Sequence, residues 1–224
     1  MLVLAHMIGE SVTIREVSSV PRTIVKHSPT ETDAEPGLGR REKLLLVAAR
    51  FFLSKGYSAT SIDEIAEAAG TTGPALYRIF DNKQDILDQL CLTGMDMRLE
   101  AIQEAVAGSH GDPEGALRAL VRARIGFAFS AWGPQAPITL AEYKYLSPEA
   151  ARQVDTASEI GLSEWFRCLA QIRPEVSTRE LLATIYAVLM EITYVALHID
   201  DLDLDQDAGG ILERTAMAGL LSGR

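Results

Sequence analysis

Six side chains that can hold an anion or donate a hydrogen bond fall within 24 residues: the hydroxyls of Thr60, Ser61, Thr72 and Tyr77, the guanidinium of Arg78 and the ammonium of Lys83. Hydroxyl and ammonium groups suit phosphate oxygens, and the fork of an arginine matches O6 and N7 of guanine. This set can bind a polyanion, but it lacks the parts of a catalytic site. The histidines, His6, His27, His110 and His198, are scattered, and no GxSxG, HExxH, phosphate-binding loop or dinucleotide fingerprint is present, so no enzyme activity is expected. Cys91 and Cys168 lie far apart without a CxxC partner. No metal and no cofactor is therefore expected, and both read as buried thiols of a reducing, cytoplasmic protein.

The elements that must position these groups are legible in Thr60 to Phe80, TSIDEIAEAAGTTGPALYRIF. Thr60 can cap a short helix, with Asp63 three residues on as its reciprocal partner. Ile62, Ile65, Ala66 and Ala69 give that helix one apolar face. Gly70 ends it, since glycine takes a left-handed conformation without steric cost. Thr71 or Thr72 caps a second helix, with Pro74 in its first turn. Leu76 and Phe80 form the buried side of that helix, leaving Thr72, Gly73, Ala75, Tyr77 and Arg78 for the other sides. The layout is a helix-turn-helix, in which one helix braces and the next meets a DNA groove.

Arg40 to Lys55 predicts a preceding helix with Leu44, Ala48, Phe51 and Phe52 on one face and Gly56 as its stop, and Arg40 and Arg41 read either as solvated charges at the helix start or as phosphate or minor-groove contacts. After Phe80, Asp81 can cap a long helix running to about Ala107. Lys83 lies in its first turn, against the helix dipole, which suggests an anion from outside.

Further helices are predicted from Pro113 to about Trp132 with Phe129 inside, from Ile138 to Leu146, from Pro148 to Ile172, from Thr178 to His198 and from Ala208 to Leu221. No strand pattern or repeat follows residue 40, so the expected fold is all-α with about nine helices. No charge-free apolar run reaches the roughly 18 residues of a membrane span, and no membrane partner is expected.

The net charge of −10 is unevenly placed. Residues 40–90 carry seven basic and seven acidic side chains, whereas residues 91–224 carry 11 basic and 19 acidic. The acid lies mostly outside the helix-turn-helix, which leaves room for a local phosphate-binding face. Residues 1–39 read as a flexible arm, with a Pro, Gly and acid-rich stretch at 28–39 and a weak hairpin signal in MLVLAHMIGESVTI. Those 14 residues resemble the first strands of carbon-storage-regulator RNA-binding proteins, with His6 and Met7 replacing the usual basic residues. A flexible arm, or a start codon placed too far upstream, is the expected reading.

Residues 40–90 resemble the TetR family of one-component transcriptional regulators. The resemblance rests on Gly56-Tyr57, Thr60-Ser61-Ile62-Asp63-Glu64-Ile65-Ala66, Ala69-Gly70, Leu76-Tyr77-x-x-Phe80 and Asn82-Lys83-x-x-Ile86-Leu87. It implies an arm over residues 1–39, a DNA-binding domain over 40–87 and a helical effector-binding and dimerisation domain over 88–224. It also implies DNA contacts from Thr60, Ser61, Thr72, Gly73, Pro74, Ala75, Tyr77, Arg78 and Lys83, besides Arg40 and Arg41. Gly73 departs from the family's frequent lysine or polar residue, which leaves Arg78 as the first candidate for reading guanine. The implied partners are a palindromic double-stranded DNA operator, a second copy of the chain and a small-molecule effector.

Phe127, Trp132, Tyr143, Tyr145, Trp165, Phe166, Tyr194 and His198 are candidates to line an effector pocket. Leu181, Leu182, Ile185, Leu189, Ile192, Leu212 and Leu220 are candidates for the dimer seam or for a monomer core. Arg118, Arg122 and Arg124 cluster on one helix, where solvated salt bridges or an anionic effector are both open. The expected function is a repressor released by a hydrophobic or amphipathic effector. An activator, or an interaction module with a vestigial helix-turn-helix, remains open on sequence alone.

Overall fold

The structure is a computed structural model that describes residues 38–109, 111–199, 201–202 and 207–222. Residues 1–37 of the expected arm, with the hairpin signal, lie outside the described residues. Among the described residues all regular structure is helical, as the sequence predicts: α1 (Arg40–Lys55), α2 (Ile62–Ala68), α3 (Gly73–Leu76), α4 (Lys83–Ala107), α5 (Pro113–Ala128), α6 (Gln135–Glu142), a 3-10 turn (Tyr143–Tyr145), α7 (Pro148–Ile172), α8 (Thr178–Leu197) and α9 (Ala208–Leu221). The helices gather into two compact units. The head unit holds the described residues up to Gly94 together with Pro134–Val154, and the body unit holds Met95–Gly133 and the described residues from Asp155 on.

In the head unit, α1 buries Leu44, Leu45, Ala48 and Phe52, and the core is closed by Ile65, Ala66, Leu76, Phe80, Ile86, Leu87 and Leu90. Each large side chain taken from water contributes about 1.5–3 kcal/mol. Gly56 (φ 84°) and Gly70 (φ 64°) end α1 and α2 in the left-handed region, as their residue type predicts. The cap of α2 is displaced by one residue from the expectation. Ser61, not Thr60, is the N-cap, and it forms a reciprocal box with Glu64. Thr60 is buried and donates to Gly56 O at 2.9 Å, so its hydroxyl serves the turn. Likewise Asn82 rather than Asp81 caps α4, accepting from Asp85 N at 2.9 Å, while Asp85 Oδ2 accepts from Asp81 N at 2.9 Å.

The body unit is built on one core. Leu117, Leu120, Val121 and Ile125 of α5 meet Leu162, Trp165 and Leu169 of α7, Leu182, Ile185 and Ile192 of α8, and Leu212 and Leu220 of α9. Of the seven leucines and isoleucines offered for a dimer seam, Leu181, Leu182, Ile185, Ile192, Leu212 and Leu220 are buried in this core and Leu189 packs partly against it. Helix α5 stops at Ala128, short of Trp132, and Phe129 is exposed rather than inside. The cause is a tight reversal: a Cβ on Gly133 would stand 2.1 Å from Ala128 O, and this fold-back buries Trp132.

Helix α8 is apolar on two faces. Its mean hydropathy of 1.6 would suffice to cross a membrane by length and composition alone. One face is the core just described. The other carries Ala183, Ala187, Met190 and Tyr194, at i, i+4, i+7 and i+11, all exposed.

Lys55 first, then the backbone and hydroxyl of Ser61, hold the Glu64 carboxyl at about 2. A lowered folded pKa contributes stability that is complete above about 4.5 and lost as pH falls through 2. Ser61→Ala should cost about 1 kcal/mol in urea unfolding at neutral pH. It should also raise the Glu64 pKa in an NMR titration, and the gap to wild type should narrow as the pH falls toward 2.

Candidate nucleic-acid interface

The turn between α2 and α3 and the residues after α3 present the groups expected to touch DNA. Thr72 is the N-cap of α3, accepting from Ala75 N at 3.4 Å, and Thr72, Pro74, Tyr77 and Arg78 are all exposed. Tyr77 is 55 % exposed, so its ring is not a core aromatic. Leu76 and Phe80, 1 % and 2 % exposed, anchor the same segment from below. Beyond Leu76 the chain continues as turns, with Ile79 N and Phe80 N both donating to Leu76 O. That keeps Tyr77 and Arg78 outside while Phe80 returns to the core. Ser61 and Arg40 are also exposed, and Ala75 is half-buried.

Gly73 is buried, and the reason is local. A Cβ there would lie 2.7 Å from Asp63 Oδ1, so the carboxylate of α2 occupies the space a side chain would take. Arg41 is folded back: its Nε donates to Gln89 Oε1 at 2.5 Å and its guanidinium lies 5.4 Å from the Phe80 ring centroid.

Lys83 is used internally. Its ammonium donates to Tyr57 O at 2.9 Å and Thr60 O at 2.8 Å and lies 4.4 Å from the Tyr57 ring centroid. Two carbonyls of the turn between α1 and α2 thus meet the ammonium from inside, Thr60 O and Tyr57 O, the latter also accepting from Thr60 N at 3.2 Å.

A second set of contacts in the head unit has no counterpart in the sequence reading. Glu142, buried, accepts from Tyr57 N at 3.2 Å. Tyr145 accepts from Ser58 Oγ at 2.7 Å, and its ring lies 4.8 Å from that of Tyr57. Gln84 donates to Tyr145 O at 2.9 Å, and Asp88 accepts from Ser147 N at 3.0 Å. Burial, then Asp88 and Tyr145, push the Tyr57 phenol up, so it stays neutral. Gln135 is fully buried beside Gly94, where a Cβ would meet Gln135 Cγ at 2.3 Å, and it donates to Cys91 O. The partners are 44 to 87 residues apart, so no local spacing signals them.

The candidate pocket residues are divided between the two units. Tyr143 and Tyr145 belong to the head unit and the other six to the body unit. Phe127, Trp132 and Trp165 are buried, Phe166 is partly buried, and Tyr194 is exposed and stacked on His198 with centroids 4.2 Å apart. An open groove of about 540 Å³ in the body unit is lined instead by Ala101, Glu104, Ala105, Gly115, Arg118, Ala119, Arg122 and Ala123. Both cysteines are buried, and burial pushes the Cys168 thiol up.

Residues 44–90 match the family described as bacterial regulatory proteins, tetR family. The chain is 37 % identical over 93 residues to the transcriptional repressor KstR2 of Rhodococcus jostii, covering 42 % of this chain and 45 % of that protein. It is 32 % identical over 121 residues to the transcriptional activator FasR of Mycolicibacterium smegmatis, covering 54 % of each. The chain thus spans about half the length of the curated relatives it matches. The fold is shared with the crystal structure of AibR in complex with isovaleryl coenzyme A and operator DNA, at a TM-score of 0.61 and 22 % identity over 80 % of this chain and 97 % of that one. Residues 44–90, which fold as the helix-turn-helix head, are thus similar to the DNA-binding region of the tetR family of bacterial regulatory proteins.

Proposed function

We propose that the protein is an effector-responsive, DNA-binding transcriptional regulator, a repressor released from a palindromic operator by an amphipathic small molecule. The observation that carries this reading is the placement of Thr72, Pro74, Tyr77 and Arg78: exposed together, on a segment anchored by Leu76 and Phe80. Arg78 reads a guanine edge, and Ser61, Thr72 and Tyr77 hold phosphates. Lys83 acts by holding the turn from Tyr57 to Thr60 in place. The relatives include both a repressor and an activator, and the AibR neighbour was solved with an acyl thioester and operator DNA, which supports an effector-controlled reading. A DNA-binding protein of this kind works in the cytoplasm.

The active species is a homodimer. The exposed stripe Ala183, Ala187, Met190 and Tyr194 on α8, with Ile211 and Ala218 exposed on α9, is an apolar surface outside the body core. Small residues let two such helices approach closely, and burying Met190 and Tyr194 against a copy removes their apolar area from water. The effector acts through α4, which contributes residues to both units. A hundredfold loss of DNA affinity needs about 2.7 kcal/mol of differential effector affinity between the two states.

Binding to the DNA upstream of its own gene should weaken steeply as salt rises. Arg78→Ala should lose about 1–3 kcal/mol of discrimination at one base pair in anisotropy titrations. Lys83→Met should instead lower head stability by about 1.5–3 kcal/mol in denaturant unfolding, with the salt slope of the folded protein unchanged. Salt-insensitive, negligible binding to every fragment would favour an interaction module. Met190→Glu should convert the dimer to monomer in sedimentation and weaken operator binding at least about tenfold by losing the paired heads.

A further inference from the structure

The three arginines clustered on α5 part ways. Arg118 and Arg122, four apart on one face, both reach Glu213 of α9: Arg118 Nη1 to Oε1 at 3.2 Å and Arg122 Nε to Oε2 at 2.9 Å. Arg124 lies about 200° further round the helix than Arg122. Its Nη2 donates to Thr193 Oγ1 of α8, and that hydroxyl donates onward to Leu189 O at 2.8 Å. Arg124 Nε is sealed from solvent and has no hydrogen-bond partner. Among the described residues no ion pair involves Arg124.

The charge that acts on Arg124 has its own sign. Arg98 of α4 stands nearby, its guanidinium 5.8 Å from the centroid of Phe127, which lies one turn along α5 from Arg124. Burial, then Arg98, pull the Arg124 guanidinium down to about 9, so it remains a cation at neutral pH. Residues 91–224 hold 19 carboxylates, so acid is not scarce in this part of the chain, yet among the described residues none pairs with Arg124. A cation with an unmet, sealed N–H and a like charge beside it is costly to keep. A ligand that brings negative charge would offset that cost.

We propose that Arg124 is the anion anchor of the effector site and that the effector is an amphipathic carboxylic acid. Its carboxylate takes the open Nε–H together with an Nη–H as a bidentate pair, Arg98 adds positive potential, and the apolar part lies against Phe127. This rests on the reading of the protein as an effector-responsive regulator and specifies the chemistry of its ligand.

The test uses the full-length protein with straight-chain carboxylates from butanoate to hexadecanoate and the matching primary alcohols as probes. Binding is followed by thermal shift and by release of bound operator DNA. At least one carboxylate should raise the Tm and release DNA while its alcohol does not. Arg124→Gln should weaken that binding roughly 30-fold or more. Without probe, Arg124→Gln should keep or raise the wild-type Tm and bind operator DNA normally, results that an arginine serving only the fold would not give. In wild-type protein the Arg124 Nε–H resonance should move downfield as the carboxylate binds, a readout that needs no variant. The proposal is overturned if no carboxylate binds, if alcohols act equally well, or if Arg124→Gln responds like wild type. Failure of the regulator reading is separate: it shows as wild-type protein that binds no operator DNA in the absence of any probe.

Discussion

The head depends on how one short turn is closed. Between Gly56 and Ser61 the chain leaves α1 and enters α2, and within this turn Tyr57 O accepts from Thr60 N at 3.2 Å. The Lys83 ammonium donates to the carbonyls of Tyr57 and Thr60, with the Tyr57 ring beneath it. A charged donor shared by two carbonyls is stronger than a neutral bond, and it ties the first turn of α4 to the start of α2. Once that turn is set, Thr60 closes it on Gly56, Ser61 caps α2 with Glu64, and α2 in turn sets the position of Gly73 through Asp63. The exposed edge from Thr72 to Arg78 is the last link of this series.

Much of this was legible in the sequence because it is local. The bounds of α1 and α9, the glycine stops at Gly56 and Gly70, a threonine cap at 71 or 72 and the buried pair Leu76 and Phe80 follow from spacing and residue type. The misses were also physical. Thr60 and Ser61 both suit an N-cap, and only the demand of Gly56 O for a donor assigns Thr60 to the turn. Lys83 read as facing an outside anion because the carbonyls it binds are 23 and 26 residues away. The aromatic residues named for a pocket were chosen by type alone. Type cannot separate Trp165, sealed in the body core, from Tyr145, which sits on Tyr57 in the head.

The body unit shows how one helix can mislead by composition. Helix α8 is apolar nearly all round because it has two jobs: Leu182, Ile185 and Ile192 face the core, and Met190 and Tyr194 face outward. Of the residues that suit either a dimer seam or a monomer core, six are buried in the body core and Leu189 packs partly against it. The arginines of α5 divide by the same logic of faces, two of them on Glu213 and one turned inward with no acid to meet it among the described residues. Periodicity alone could have separated Arg122 from Arg124, but only the tertiary partners show which one is left with an unmet charge.

The central claim is that two copies of this head read a two-fold symmetric DNA sequence. Selection of bound duplexes from a random-sequence pool with the purified full-length protein tests it most directly. The account predicts enrichment of a palindrome whose half-sites are about one helical turn apart, or a multiple of it. Failure to enrich any sequence, or recovery of a lone asymmetric site bound by one chain, would contradict it.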